Sequence, residues 1–302
     1  GTPFVVLHKE NLKSPGRVGF FERVYRERRG PFHGRRILVY NEIERELQIA
    51  SGVVTPDRVT VTGMPRLDRM HQWRRRTGAA AGKKSFDGPQ VLFFSFDAKT
   101  GLPKLARKPG AGIEGGHESL GEGMDDLSWS RLVQGSHDAV VRFARERPDV
   151  RVVVKAKRNL PAQSPVGEIP KEPAPNLEVA VGGDPFDLIV RSNVVVGFNT
   201  TALFEALAAG VPVVVPWFAE ALDVRMQPYV VNMESSVSYA RSPGELAALL
   251  SRFVEEAPRL ERGLDPEASS LLDRWVGNAD GLAGRRVRDA LLAEVGRRDG
   301  NR

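Results

Sequence analysis

The sequence predicts an α/β fold, built from parallel sheets in two domains, and three observations lead to this prediction. Short apolar runs alternate with amphipathic stretches, as expected when helices connect the strands of a parallel sheet. Three of the runs, Val152–Val154, Val194–Val196 and Val213–Val215, consist of valine alone, which is typical of strands buried on both faces. Residues 77–88 are rich in Gly, Ala and Lys without an apolar period, so they are predicted to be a linker between two such series.

The first series predicts a partial N-terminal domain over residues 1–76. Gly52 follows the second predicted helix, where the left-handed conformation that glycine readily adopts would end it. Because a domain usually has about 100 residues or more, we expect the first strands of this one to be missing from the chain. The predicted strands are Phe4–Leu7, Arg36–Tyr40 and Arg58–Thr62, and the predicted helices cover residues 20–25, Glu42–Ser51 and Leu67–Arg76.

The second series predicts a C-terminal domain over residues 89–280. Two segments interrupt it: a loop at residues 97–126 that could close over a ligand, and a Pro-rich stretch at 159–175. A helix within residues 281–302 could cross back to the N-terminal domain. The predicted strands are Val91–Phe96, Val150–Lys155, Leu177–Val181, Val194–Val196 and Pro212–Val215, and the predicted helices are Trp129–Arg145, Pro185–Arg191, Thr200–Ala209, Pro243–Ala257 and Gly281–Arg297.

The strongest candidate site is the polar turn Asn199-Thr200-Thr201, between a buried strand and a helix. Asn199 or Thr200 is expected to cap that helix, whose backbone N–H groups and positive dipole end would suit a phosphate. Ligands of open α/β sheets bind outside the carboxyl ends of the strands, where this turn lies. Glu205, on the first turns of the helix, would reach a ribose hydroxyl pair. The alternative is an ordinary helix cap followed by a solvated glutamate.

Two segments resemble a known group of enzymes. The stretch Ser192–Pro216 is similar to the donor-binding segment of GT-B glycosyltransferases, in particular of the bacterial surface-carbohydrate and capsule polysaccharide group related to CDP-glycerol glycerophosphotransferases. The sequence V-T-V-T-G-M-P-R-L-D at residues 59–68 resembles the V-x-G-x-P-R-x-D segment that closes their N-terminal domain. The resemblance implies a GT-B-like fold, in which two Rossmann-like domains face a cleft.

The resemblance also implies roles for the donor-binding residues: phosphate contacts for Asn199, Thr200 and Thr201, and a ribose contact for Glu205. The group usually has a His-Pro after the second strand of this domain, where this chain has Val154-Lys155-Ala156-Lys157-Arg158. Lys155 or Lys157 could neutralise the donor phosphates instead, although a basic strand end without a function is the alternative. This departure disfavours CDP-glycerol and fits the surface-carbohydrate proteins, some of whose relatives use CMP-linked Kdo or sialic acid.

The candidate catalytic residues are His8 and Glu10, at the end of the first strand. His8 matches the histidine of the Trp-His-Gly-Thr loop in CDP-glycerol enzymes. An inverting sugar transfer needs a base that deprotonates the acceptor hydroxyl, and either side chain could serve. The acceptor would then enter near residues 8–14. A polar strand end without chemistry is the alternative.

Two further pairs of residues are candidate ligands for a substrate or a metal. Trp217 and Phe218 follow a strand and could stack on a base or a sugar, with core packing as the alternative. The pair Asp125-Asp126 resembles a metal site, but a solvated loop is the favoured interpretation. The chain has no Cys, and its five His lack zinc-site spacing, so we expect neither a metal nor a cofactor apart from the nucleotide-activated donor.

Composition limits the partners. The net charge is +6, and the Arg clusters at residues 26–29, 74–76 and 285–288 are interpreted mainly as solvated helix faces. No nucleic-acid-binding module is present, so no nucleic-acid partner is expected. The charge would also suit an anionic glycan or the surface of an anionic membrane. No apolar run is long enough to span a bilayer, and we expect a cytoplasmic protein that could associate with the inner face of the membrane.

The leading hypothesis is a GT-B glycosyltransferase that transfers a sugar from a nucleotide-activated donor, such as CMP-Kdo, to a surface polysaccharide or glycolipid, as in lipopolysaccharide or capsule synthesis. Three alternatives remain open. The first is a CDP-glycerol-type glycerophosphotransferase. The second is a protein like UDP-GlcNAc 2-epimerase, although the acidic and His-rich catalytic set of that family is not evident. The third is a non-catalytic nucleotide-sugar or glycan-binding module of a larger enzyme.

Overall fold

The structure is a computed structural model that describes residues 4–9, 11–28, 30–78, 88–103, 127–156, 174–256 and 263–299. Within these residues the chain forms one three-stranded and one six-stranded sheet, and every strand pair is parallel. This arrangement confirms the predicted α/β class with two parallel-sheet halves. None of the described helices is both long enough and apolar enough to span a bilayer.

The N-terminal half has the strand order β1-β2-β3. Its central strand is buried from Ile37 to Val39, because helices cover it. Asn41 caps the second helix: its side-chain oxygen accepts a hydrogen bond from the backbone N–H of Glu44. The elements are β1 (Val5–Leu7), α1 (Pro15–Arg28), β2 (Arg36–Val39), α2 (Glu42–Ala50), β3 (Val59–Val61) and α3 (Asp68–Gly78).

The C-terminal half has the strand order β6-β5-β4-β7-β8-β9. The valine runs are buried as predicted and form the centre of the main core. Strand β9 and helix α8 were not predicted. The elements are β4 (Gln90–Phe94), α4 (Ser130–Glu146), β5 (Arg151–Ala156), β6 (Leu177–Val181), α5 (Phe186–Arg191), β7 (Val194–Val196), α6 (Ala202–Ala208), β8 (Val213–Pro216), β9 (Ser238–Ala240), α7 (Pro243–Glu256), α8 (Pro266–Val276) and α9 (Ala283–Asp299).

The turn between α8 and α9 lies against the N-terminal half. Asn278 donates side-chain hydrogen bonds to the carbonyl of Met64 and to Asp68, both at 2.8 Å. Asp68 in turn accepts from the first two backbone N–H groups of α9, at 3.1 and 2.8 Å. A Cβ on Gly63 would lie 2.2 Å from the carbonyl oxygen of Gly277, so these two segments approach this closely only because position 63 is glycine.

Helix α6 begins later than predicted. The sequence placed its start at Thr200 with a cap from Asn199 or Thr200, whereas the structure begins the helix at Ala202, with Thr201 in the cap position and no side-chain cap. Asn199 has a positive φ of 47°, and its side chain bonds a distant segment instead of the helix. The prediction that Asn199 caps α6 is therefore wrong, because tertiary hydrogen bonds outweigh the local preference.

Candidate functional site

The carboxyl edge of the six-stranded sheet contains a point where the strand order reverses. From β4 the chain proceeds to β5 and β6 on one side, and then returns to β7, β8 and β9 on the other. The loops after β4 and β7 therefore leave in opposite directions and open a crevice, which is where open α/β sheets bind ligands. These loops touch: a Cβ on Gly101 would lie 2.7 Å from Nδ2 of Asn199. The predicted turn, residues 199–201, borders this crevice.

Asn199 uses both ends of its side chain to hold another loop. Its Nδ2 donates to the carbonyl of Tyr229 at 3.0 Å, and its Oδ1 accepts from the backbone N–H of Val231 at 2.9 Å. Thr200 and Thr201 are half-buried, as Asn199 is, and their hydroxyl oxygens accept from the backbone N–H of Ala202 and from Arg66, which leaves each hydroxyl proton for donation. A phosphate contact from this turn would therefore come more readily from the two threonines and the backbone than from the Asn199 amide.

Glu205 lies in an ion pair that joins the two halves. Nη2 of Arg66, in the short 3₁₀ helix Pro65–Leu67 after β3, lies 2.9 Å from Oε1 of Glu205 and donates to Oγ1 of Thr201 at 2.5 Å. The Glu205 side chain is 2% exposed, whereas that of Arg66 is 40% exposed. The alternative that Glu205 is a solvated helix residue is therefore excluded by its burial.

A second ion pair between the halves lies beside the first. Arg69, in α3, forms two side-chain hydrogen bonds to Asp184, and its guanidinium lies 4.7 Å from the centre of the Phe186 ring. The hydrogen bond to Arg69 lowers the pKa of Asp184. Both partners of this pair are exposed, at 39% and 55%.

Lys155 is the penultimate residue of β5 and lies near the same edge of the sheet. The residue is buried, its Nζ donates to the carbonyl of Gly182, and burial lowers the pKa of its ammonium group. An anion bound nearby would raise the pKa of Lys155 again, because a negative charge favours the charged ammonium. Lys157, the other predicted phosphate ligand, lies outside the described residues.

Sequence reasoning missed a hydroxyl–imidazole pair at the crevice. Ser95, which follows β4, has its Oγ 3.0 Å from Nε2 of His137, and Nδ1 of His137 is 2.8 Å from the carbonyl of Val133. A carbonyl only accepts, so Nδ1 carries the proton and Nε2 accepts from the Ser95 hydroxyl. Burial lowers the pKa of His137 and keeps it neutral. The one available signal was the apolar face of α4, on which His137 falls one turn after Val133.

His8 follows β1 at the carboxyl edge of the other sheet. Its Nε2 is 3.4 Å from Oε1 of Glu44, and its side chain is 13% exposed. The His8 ring lies between Tyr25 and Tyr40, with centroid distances of 6.4 and 6.5 Å. Glu10, the other predicted catalytic residue, lies outside the described residues.

Glu44 is the centre of a buried polar cluster that we name the Glu44 cluster: His8, Lys13, Tyr25, Glu44 and Gln48. The Glu44 carboxylate is 0% exposed, accepts from Tyr25 at 3.0 Å and from Gln48 at 2.7 Å, and lies 2.9 Å from Nζ of Lys13. Burial, followed by the charge of Glu44, raises the pKa of nearby Tyr40. Sequence reasoning missed Glu44, although its spacing of three from the cap Asn41 is that of a capping box.

Tyr229 contacts both halves of the molecule near the carboxyl edges of their sheets. A Cβ on Gly16, at the start of α1, would lie 2.8 Å from Cε1 of Tyr229, so the beginning of this helix packs tightly against Pro228 and Tyr229. The carbonyl of Tyr229 accepts from Asn199. Gly16 in one half and Asn199 in the other therefore contact the same residue, Tyr229.

The two predicted stacking residues have different surroundings. Phe218 is buried in the main core, where a Cβ on Gly135 would lie 2.9 Å from its ring, which agrees with the core-packing alternative. Trp217 is half-buried and makes an edge contact with Tyr239, with a centroid distance of 4.9 Å. Glu220 follows them and accepts from the backbone N–H groups of Arg131 and Leu132, so this turn also anchors α4.

No three His, Asp or Glu side chains come together as a metal site within the part of the chain that the structure describes. The acidic pair Asp125-Asp126 belongs to residues 104–126, which lie outside those residues. A cavity of about 470 Å³ opens beside the α8–α9 turn, and none of the predicted site residues lines it. Its lining residues are Asn41, Glu42, Ile43, Val61, Asp273, Arg274, Gly277, Ala279, Asp280 and Arg286.

No family model and no curated protein matches this sequence. Solved structures do match the fold. A variant of the wall teichoic acid polymerase TagF, soaked with CDPG, is 12% identical with a TM-score of 0.51, over 97% of this chain and 63% of that chain. UDP-GlcNAc 2-epimerase from Neisseria meningitidis, bound to UDP-GlcNAc, is 14% identical with a TM-score of 0.47, over 86% and 62%. Anabaena HepE in complex with UDP-glucose is 12% identical with a TM-score of 0.43, over 95% and 72%.

The chain thus spans about three fifths of the length of the TagF and 2-epimerase structures. At these identities the likeness concerns the fold alone. The described residues form two parallel sheets whose halves meet at the Arg66–Glu205 ion pair. The chain therefore has a GT-B-like α/β fold, in which two Rossmann-like parallel-sheet halves face a cleft.

Proposed function

We propose that this chain binds a nucleotide-activated sugar and transfers the sugar to a surface polysaccharide or glycolipid. One observation carries the proposal: Tyr229 contacts the turn beside the crevice where the strand order reverses, and it also packs against Gly16, three residues after Lys13 of the Glu44 cluster. An activated donor needs a site for its phosphates and ribose, and a transfer needs a base on the other side of the sugar.

The donor would lie in the crevice. Its phosphates would contact Thr200, Thr201 and the backbone N–H groups of the turn, and the Lys155 ammonium would neutralise their charge. Negative charge develops on the departing nucleotide in the transition state, and fixed donors of this kind stabilise it. Glu205 would accept hydrogen bonds from the ribose hydroxyls, since a carboxylate is an acceptor only.

The acceptor hydroxyl would lose its proton to His8. An imidazole that directs one nitrogen at a carboxylate carries its proton on that nitrogen, which leaves the other as the base. In His8, Nε2 faces Glu44, so Nδ1, a buried atom in this structure, would take the proton from an acceptor bound against the ring. Glu10 remains the second candidate for this role. Loss of a general base slows an enzyme by about 10²–10⁴-fold.

A thermal-shift screen with CMP, CDP, UDP and GDP tests the binding half of the proposal. A ligand that binds only the folded chain stabilises it by about 2.7 kcal/mol at a hundred times its dissociation constant. We expect one of these nucleotides to raise the melting temperature. A preference for CMP would support a CMP-linked donor such as CMP-Kdo, and a preference for CDP would support glycerol phosphate transfer. If none of the four raises it, the proposal is wrong.

His8→Ala tests the catalytic half. We expect release of the nucleotide from its sugar donor to slow by about 10²–10⁴-fold while the thermal shift with the nucleotide is retained. The matched control is His33→Ala, since His33 is an exposed histidine in the same half. Equal turnover in both variants would exclude His8 as the base. A wild-type chain that binds nucleotide without any donor turnover would indicate the non-catalytic module.

A further inference from the structure

We infer that Arg66 is a positioning residue that holds the Glu205 carboxylate for the ribose of the donor, so that the N-terminal half determines the selectivity of the nucleotide site for ribose. The inference rests on the proposed function, because it concerns the same nucleotide. It adds a residue from the opposite half of the molecule to the donor site, and it assigns a task to the arginine of the 59–68 segment.

The contacts of Arg66 place its guanidinium across the first turn of α6. A single nitrogen, Nη2, bonds both Oγ1 of Thr201, at 2.5 Å, and Oε1 of Glu205, at 2.9 Å. The same cation therefore fixes the end of the turn at residues 199–201 and the carboxylate one helical turn later. A shift of Arg66 would move both groups that the proposal assigns to the donor.

Glu205 needs such a partner because it is buried. A carboxylate that is 2% exposed loses nearly all of its hydration, and a buried charge without a partner is strongly destabilised. Arg66 supplies a guanidinium 2.9 Å from this carboxylate. With Arg66 in place, the Glu205 carboxylate points in one direction, as an acceptor of ribose hydroxyls must.

The backbone around Arg66 is itself anchored. Met64 and Leu67, on either side of it, are buried in the main core. Asp68, two residues later, holds the beginning of α9. Because its neighbours are fixed, Arg66 reaches Glu205 from a rigid position, which is the condition for holding a carboxylate in one orientation.

The alternative is that Arg66 only fastens the two halves together. The neighbouring ion pair, Arg69 with Asp184, also joins the two halves, and its side chains are 39% and 55% exposed. An ion pair that only joins the halves can therefore be exposed. A fastening between the halves needs no buried carboxylate at the crevice. The burial of Glu205 therefore favours a positioning role for Arg66 and makes the Asp184 pair the matched control.

The test compares CDP, UDP and GDP with their 2′-deoxy forms, using dissociation constants from calorimetry. In the wild-type chain we expect the ribose form to bind at least about tenfold more tightly, the value of the single hydrogen bond to a charged acceptor that the 2′-deoxy form lacks. In Arg66→Ala the ratio should fall to near one, because the ribose form loses the positioned carboxylate, whereas loss of the Thr201 contact weakens both forms to the same extent. In Asp184→Asn the ratio should stay at the wild-type value.

Further variants keep the test decisive if Arg66→Ala does not fold. Arg66→Lys retains the charge without the planar fork, and we expect an intermediate ratio. Glu205→Gln should lower the ratio as Arg66→Ala does, and the double variant should show no further loss, since both act through one carboxylate. Equal weakening of both nucleotide forms in Arg66→Ala or Arg66→Lys, or the same loss in Asp184→Asn, would overturn the inference. If the wild-type chain binds no nucleotide, the proposed function fails and the inference fails with it.

Discussion

Two buried carboxylates, Glu44 and Glu205, lie on opposite sides of the cleft and obtain their partners differently. Each is carried by the helix that follows a strand of its sheet, and both are almost fully buried. Glu44 is surrounded by Lys13, Tyr25 and Gln48, all from its own half. Glu205 receives its cation from the other half. The Glu44 cluster is thus assembled within one half, whereas the proposed donor site depends on how the two halves meet.

Removal of Glu44 should have the largest effect on stability. Glu44→Ala leaves the buried Lys13 ammonium without its carboxylate, and breaking such a pair costs about 3–5 kcal/mol. The free energy of unfolding in urea measures this. The control is Glu42→Ala on the same helix, whose exposed carboxylate faces Arg45 at 3.4 Å, and for which we expect a change below about 1 kcal/mol. A similar small change in Glu44→Ala would show that the Glu44 cluster does not stabilise its half.

Asn199→Ala should have an intermediate effect. It removes two hydrogen bonds to residues 229–231, at about 0.5–1.5 kcal/mol each, and places alanine at a positive φ. We expect a loss of about 2–3 kcal/mol by urea unfolding. Asn199→Gly removes the same hydrogen bonds, but glycine adopts a positive φ without strain. We therefore expect Asn199→Gly to lose less free energy of unfolding than Asn199→Ala. If the two variants lost the same free energy of unfolding, the positive φ at residue 199 would not contribute to the loss in Asn199→Ala.

The smallest expected effect is a dependence on pH from one histidine in each half. His71 donates from Nε2 to the carbonyl of Asn278, and burial lowers its pKa below 6.5, as burial does for His137. Both stay neutral when folded and bind a proton once unfolded, so unfolding takes up protons as the pH falls. Their contribution is complete above pH 6.5 and is lost below it, by at most about 1.4 kcal/mol per pH unit for each histidine.

Urea unfolding at pH 7, 6 and 5 checks this effect. His137→Asn and His71→Asn should each flatten the slope of unfolding free energy against pH, whereas His33→Asn, at an exposed position, serves as the control. A slope that both variants leave unchanged would mean that other groups cause the acid sensitivity. A slope changed by only one of them would assign the sensitivity to one half of the molecule.

The local parts of this structure could be predicted from the sequence. The valine strands and the polar turn after β7 are contiguous patterns, and the structure contains both. Strand β9 was missed because Ser238–Ala240 is short and only partly apolar. Helix α8 was missed although Asp265 caps it and Gly277 ends it, which are ordinary signals of helix boundaries.

The partners of the site residues could not be predicted in the same way. Arg66 lies 139 positions from Glu205, and Ser95 lies 42 positions from His137, so no local pattern connects them. Asn199 shows the converse case, in which the local preference for capping a helix is outweighed by bonds to residues 30 and 32 positions away. The sequence could therefore indicate which turn borders the crevice, but not which side chains meet there.

The contact between Asp68 and the beginning of α9 has a consequence for dissecting this protein. The N-terminal sheet is closed by a helix from the far end of the chain, and Arg36 on β2 bonds Glu294 of that helix at 2.7 Å. A fragment cut at the 77–88 segment would separate the sheet from this covering helix. A circular permutant that joins residues 281–299 ahead of β1 would keep this helix with the N-terminal sheet. Such a permutant is better suited than the fragment to studies of the N-terminal half in isolation.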